Sequence, residues 1–117
     1  MPNSSKPEVE VFFTPEFKRN LRALAKKYPH IHADVQPIIE QIRRGDNVGD
    51  QVQGTGYTII KVRIRNRDIG RGKSGGYRII YYLKTITNII LITIYSKTEQ
   101  ADISSAKIKQ ILSVFGK

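Results

Sequence analysis

The stretch that decides the fold is GYRIIYYLK (residues 76–84), followed after Thr85, Ile86 and Thr87 by NIILITIY (residues 88–95). Both segments are rich in β-branched and aromatic residues, which favour a pleated, half-buried surface. So short a connection joins strands only in antiparallel fashion. The second segment carries Ile89, Ile90, Leu91, Ile92 and Ile94 with almost no alternation. A strand of that kind is apolar on both faces and belongs inside a sheet.

Upstream, Tyr57 to Arg65 alternates Ile60, Val62 and Ile64 with Lys61, Arg63 and Arg65 and reads as a third strand. Residues 46–56 contain three glycines and no hydrophobic period, and read as a loop. Nearer the amino terminus, Val9, Val11 and Phe13 alternate with Glu8, Glu10 and Phe12 as another strand. Thr14-Pro15-Glu16 then supplies a helix cap, a first-turn proline and an early acid. Phe17, Leu21, Leu24 and Tyr28 make the apolar stripe of that helix, which Pro29 ends. A second helix buries Val35, Ile38, Ile39 and Ile42 and ends on Gly45 as a left-handed cap. Pro37 sets its expected start near Asp34, because proline is tolerated in the first turn only. A closing helix from about Ile103 groups Ile108, Ile111, Leu112 and Phe115. The order β-α-α-β-β-β-α predicts an α+β domain, with helices packed on a mainly antiparallel sheet. Residues 8–117 are expected to form that domain, behind a disordered lead-in of residues 1–7, which shows no hydrophobic period.

The 117 residues suit one core, and the absence of cysteine removes disulfides, thiolate metal sites and cysteine nucleophiles together. The apolar run between Ile89 and Ile94 is far short of the roughly 20 residues of a membrane span. With no apolar h-region at the amino terminus either, the expectation is a cytoplasmic protein with no membrane partner.

The net charge is +10, which points to a polyanionic partner. Much of it is concentrated: eight basic residues between Lys61 and Lys84 face one acid, Asp68. Strand alternation puts Lys61, Arg63 and Arg65 on one face as a ladder of like charge, costly unless an anion lies across it. A solubilising face mixes both signs, whereas this one is rich in arginine, whose fork matches phosphate oxygens. Arg67, Arg71 and Lys73 extend the cationic tract into a glycine-rich hairpin tip. That tip is not a nucleotide-triphosphate loop, because Arg67 occupies the place of the required first glycine and no helix follows. His30 and His32 lie in the turn between helices, remote from the ladder, and suit a surface role better than general acid–base work. Ser74 and Ser96 lack an adjacent histidine, and Glu99 and Asp102 read as dipole-favouring acids at the start of the last helix. No metal or cofactor is expected. Among the later tyrosines, Tyr95 is a candidate for stacking on a splayed base.

Three segments, Lys61-Val62-Arg63, Gly72 to Tyr82 and Ile94-Tyr95-Ser96-Lys97-Thr98-Glu99, resemble in this order the RelE and HigB toxins of type II toxin–antitoxin systems. Gly54-Thr55-Gly56 resembles the HigB-like branch. The order of elements agrees along nearly the whole chain after residue 7. The resemblance implies a RelE-like fold and a metal-independent endoribonuclease that inhibits translation, cutting messenger RNA in the ribosomal A site, against ribosomal RNA, by attack of the ribose 2′-hydroxyl. It also implies a cognate antitoxin. Carried onto this chain, Lys61 and Arg63 match the basic pair of the second family strand, with Lys61 as general base. That role requires the neighbouring cations to ease the loss of its proton. Arg78 matches the arginine that holds the scissile phosphate, and Lys97 a basic residue that assists the leaving oxygen. Arg65, Arg67, Arg71 and Lys73 would bind RNA backbone. Where the best-known RelE branch has a catalytic tyrosine early in the last helix, this chain has Ser104, and Tyr95 takes over stacking. Two alternatives share the scaffold: a ParE-like, non-catalytic inhibitor of DNA gyrase, and an inactive RNA-binding relative.

Overall fold

The structure, a computed structural model, describes residues 9–69 and 75–115. In chain order the elements are β1 (Glu10–Phe13), α1 (Pro15–Lys27), α2 (Ile31–Arg43), β2 (Asp50–Val52), β3 (Ile59–Ile64), β4 (Tyr77–Leu83), β5 (Asn88–Ser96) and α3 (Ser105–Phe115). They form an α+β domain whose five-stranded sheet runs β1-β5-β4-β3-β2. Pairing is antiparallel except for β1, which lies parallel to β5.

β5 is interior, as its continuous apolar sequence requires, and both of its faces are covered. On one side Ile89, Leu91 and Ile94 pack with Phe17, Leu24, Val35, Ile39 and Ile42 of α1 and α2. On the other, Ile90, Ile92 and Tyr95 pack with Ile108, Ile111 and Leu112 of α3. β5 carries one residue more than its partner, since Ile80 pairs with Thr93 while Tyr81 pairs with Leu91. This bulge changes the parity of the strand, so that Ile94 faces α1 and α2 while Tyr95 faces α3.

Thr14 fixes how β1 passes into α1. Its Oγ1 accepts the Phe17 amide at 3.0 Å and donates to the Ile92 carbonyl at 2.6 Å, while its own amide donates to the Leu91 carbonyl. The expected cap is therefore also the stitch between α1 and β5. Gly45, at φ +86°, ends α2 as expected: its amide donates to the Ile42 carbonyl and that of Asp46 to the Gln41 carbonyl. Gly76 is required by close approach, because a Cβ there would strike the Ile64 carbonyl oxygen across the β3–β4 pair.

Three boundaries differ from those expected. α2 begins at Ile31, a turn ahead of Asp34, and Pro37 sits inside it. Proline costs one bond to the carbonyl four residues back; both Pro37 and Ala33 are exposed, so water can take that carbonyl. The segment read as a loop contains β2, a three-residue edge strand held by backbone pairing with β3 that leaves no periodic signature. α3 starts at Ser105, with the Ser104 hydroxyl accepting the Lys107 amide at 3.1 Å, so Glu99 and Asp102 precede the helix rather than open it.

Replacing Thr14 by Ala removes both bonds of its hydroxyl and should lower stability by about 1–2 kcal/mol, the range of strong capping residues. Urea denaturation followed by far-ultraviolet circular dichroism measures this; a loss below about 0.3 kcal/mol would show that the cap does not hold the β1–α1 junction.

Candidate functional site: a cationic row on an open sheet face

α3 covers only part of its face of the sheet, over Ile59, Ile80, Ile90 and Ile92. At the β3 edge the same face carries Lys61 and Arg63, and the register sets Arg63 against Arg78 and Arg78 against Tyr95. Arg63, Arg78 and Tyr95 thus form one row across three strands, with Lys61 one residue pair further along β3. Alternation in β3 and β4 places the first two, and the β5 bulge brings in Tyr95.

Directly opposed like charges destabilise a sheet. Two features offset the cost. Arg78, although only 5% exposed, donates from Nη1 to the Tyr77 carbonyl at 3.2 Å. Arg63, half-exposed, lies 3.6 Å from the Asp50 carboxylate of the edge strand. Burial first, then the Arg63 guanidinium, press the Arg78 pKa below arginine's usual value, yet it stays charged at neutral pH.

Asp102 organises the next layer. Its Oδ1 accepts the Ile103 amide at 2.8 Å, the Lys61 ammonium at 3.3 Å and the Tyr95 hydroxyl at 3.4 Å. The Ile103 amide foremost, then the Lys61 ammonium, hold its carboxyl below the usual aspartate range. Burial foremost, then the Asp102 charge, push the Tyr95 hydroxyl up to about 12, so it stays protonated and is a hydrogen-bond donor at neutral pH. The Asp102 side chain is 67% exposed, and an ion pair so open is worth no more than about 1 kcal/mol. A phosphate arriving at Lys61 can displace it.

The other expected site residues are dispersed. Arg65 is exposed just past the end of β3. Lys97 follows β5: its amide donates to the Gly76 carbonyl at 2.8 Å and its Nζ to the Ala101 carbonyl at 2.7 Å, in the turn that leads to Asp102. The structure does not bring Arg67 to the row. Its Nε and amide both donate to Asp34 of α2, at 2.7 and 3.0 Å, and that carboxylate is 7% exposed. Beside it, His30 Nδ1 meets Asp68 at 2.7 Å and the His30 amide donates to the same carboxylate. Arg67 and Asp68 therefore clamp the segment after β3 to α2 and the α1–α2 turn. Arg71 and Lys73 lie outside the described residues. Tyr95 is 5% exposed and packs under α3, so it meets the row through its hydroxyl rather than through an open ring face. Sequence reasoning missed Asp102 and Asp50. The first reads locally as a helix-opening acid, and the second sits in the edge strand that has no period.

No helix among the described residues is long and apolar enough to cross a membrane, and no three His, Asp or Glu side chains among them are grouped to hold a metal ion.

These features define a class: a small α+β domain that gathers cations on the uncovered part of an antiparallel sheet. The model of one family, described as the RelE toxin of the RelE/RelB toxin–antitoxin system, matches residues 9–115. The chain belongs to the RelE toxin family, and is thus the toxin of a toxin–antitoxin pair.

His30 is the first cause of the lowered Asp68 pKa. A depressed carboxylate pKa adds stability above the ordinary aspartate value, and that stability is lost as pH falls through the depressed one. The stability gap between the chain and Asp68→Asn should therefore be open at about pH 6 and close toward about pH 3. Urea midpoints across that range test it; a constant gap would remove the charge on Asp68 from the clamp.

Proposed function

We propose that this toxin is a ribosome-dependent endoribonuclease that cleaves messenger RNA without a metal ion. The observation that carries the reading is the row of Arg63, Arg78 and Tyr95 beside Lys61, on a part of the sheet that α3 leaves open. In the proposed step the 2′-hydroxyl oxygen attacks the adjacent phosphorus and the bond to the 5′-oxygen breaks. The products are a 2′,3′-cyclic phosphate and a 5′-hydroxyl end.

Negative charge builds on the phosphate oxygens as the pentacoordinate state forms, and cations already in position stabilise it with little reorganisation. Arg78, held by burial and by the Tyr77 carbonyl, is the fixed clamp; Arg63, more exposed, approaches from the facing strand. Lys61 takes the proton of the attacking hydroxyl once the incoming strand has displaced it from Asp102. Lys97, past the end of β5, donates toward the leaving 5′-oxygen. The Tyr95 hydroxyl, kept protonated, is a hydrogen-bond donor at the same row. Arg65 meets the RNA backbone beyond the row, as would Arg71 and Lys73. With no strong acid or base in the set, the reaction depends on a substrate already bent into line, which a ribosome-bound message supplies in the A site.

Lys61→Ala and Arg78→Ala should each lower the cleavage rate roughly 10²- to 10³-fold, the usual loss for one transition-state contact. Purified protein is added to programmed ribosomes and message ends are mapped by primer extension, with thermal melts of both variants run alongside. New ends inside codons, lost in folded variants, support the reading. Intact message with inhibited gyrase supercoiling would replace it by gyrase poisoning.

A further inference from the structure

At the other end of the same sheet face lies a second feature that the cleavage chemistry does not use. Gly54 and Gly56, at φ +81° and +80°, flank Thr55, whose side chain is buried. The Thr55 hydroxyl accepts the Tyr57 amide at 3.1 Å and donates to the Tyr57 carbonyl at 2.9 Å. The loop thus fixes the backbone of Tyr57 on both sides. Its ring stands edge-on to Tyr82, with centroids 5.3 Å apart, and Tyr57 as a whole is 46% exposed.

Two hollows share this pair. One, of about 450 Å³, also takes in Gln51, Gln53, Thr55 and Lys84. The other, of about 180 Å³, lies between the tyrosines and the end of α3, and Lys84 lines it too. None of the described residues lining either is acidic. An exposed tyrosine whose backbone is fixed, with a lysine at its side in the same hollow, supplies the elements that grip an unpaired nucleobase: a face to stack on and a cation for the phosphate. Tyr82 lies on the same face of β4 as Arg78, four residues on, or about 13 Å at strand spacing. A few nucleotides of extended single strand cover that distance.

We infer that Tyr57, Tyr82 and Lys84 form a nucleobase subsite for the same RNA strand whose phosphate sits at Lys61, Arg63 and Arg78. Tyr57 stacks on the base and Lys84 meets the neighbouring phosphate. The inference rests on the ribonuclease reading for its substrate, but its evidence is separate, and so is its test.

The test measures binding without cleavage: fluorescence anisotropy of a short end-labelled single-stranded RNA with the purified full chain at low ionic strength. Tyr57→Ala should weaken binding about tenfold, within the range of one lost base stack, while Tyr57→Phe, which keeps the ring, should bind as the parent does. Lys84→Ala should flatten the salt dependence. With RNA carrying abasic positions in place of bases, the parent and Tyr57→Ala should bind alike. Equal affinity of the parent and a folded Tyr57→Ala for base-bearing RNA would overturn the inference even if the protein cuts message. Loss confined to the complex with a co-expressed antitoxin would overturn it as well, making the tyrosines a protein-docking surface. Stacking-dependent binding by a protein that leaves ribosomal message intact would keep the subsite and remove the ribonuclease.

Discussion

Ile89, Leu91 and Ile94 of β5 face α1 and α2, while Ile90 and Ile92 face α3, so neither side of this strand can be left to water. Leucine and isoleucine side chains each contribute about 1.5–3 kcal/mol when fully buried, and a strand apolar on both faces gains that only when the sheet is covered on both. That requirement fixes the layering. It places α1 and α2 on one face, demands α3 on the other, and puts β5 between two partners. One helix of eleven residues is too narrow to cover a five-stranded sheet, so part of its face stays open at the β3 edge. The cations occupy that opening.

Placement alone does not set the geometry of the row; rigidity does. Arg78 lies on an interior strand and is almost fully buried, while Gly76, two residues earlier, lets β4 approach β3 closely enough to align Arg78 with Arg63. The β5 bulge then turns Tyr95 to the same side. Asp102 and Asp50 hold Lys61 and Arg63 through exposed pairs, weak enough to yield to a stronger anion. The contrast with Arg67 is instructive. Its partner, Asp34, is buried and doubly bonded to it, so that charge secures the fold rather than reaching toward a ligand.

Much of this was legible in the sequence, for physical reasons. Period two in β3 assigned Lys61 and Arg63 to one face, the unbroken apolar run assigned β5 to the interior, and Thr14 and Gly45 announced the helix ends. The illegible parts arise from contacts distant in sequence. β2 exists because β3 offers it a backbone ladder, not because Asp50, Gln51 and Val52 favour a strand. α2 starts early because packing of Ile31 outweighs one bond lost at Pro37. Asp102 gains its place only when the turn after β5 folds back toward β3, and nothing local distinguishes it from a helix-opening acid. Arg67 is indistinguishable from Arg65 along the chain, and only Asp34 separates their roles.

In the proposed reaction a row of cations stabilises attack by the substrate's own 2′-hydroxyl. The most direct measurement is cleavage, on ribosomes, of a message carrying a single 2′-deoxy nucleotide on the 5′ side of the scissile phosphate, beside the all-ribose message. The account expects the all-ribose message to be cut to a 2′,3′-cyclic phosphate end and the substituted position to remain intact. Cutting at the deoxy position at an unchanged rate would contradict it, because the nucleophile would then come from elsewhere.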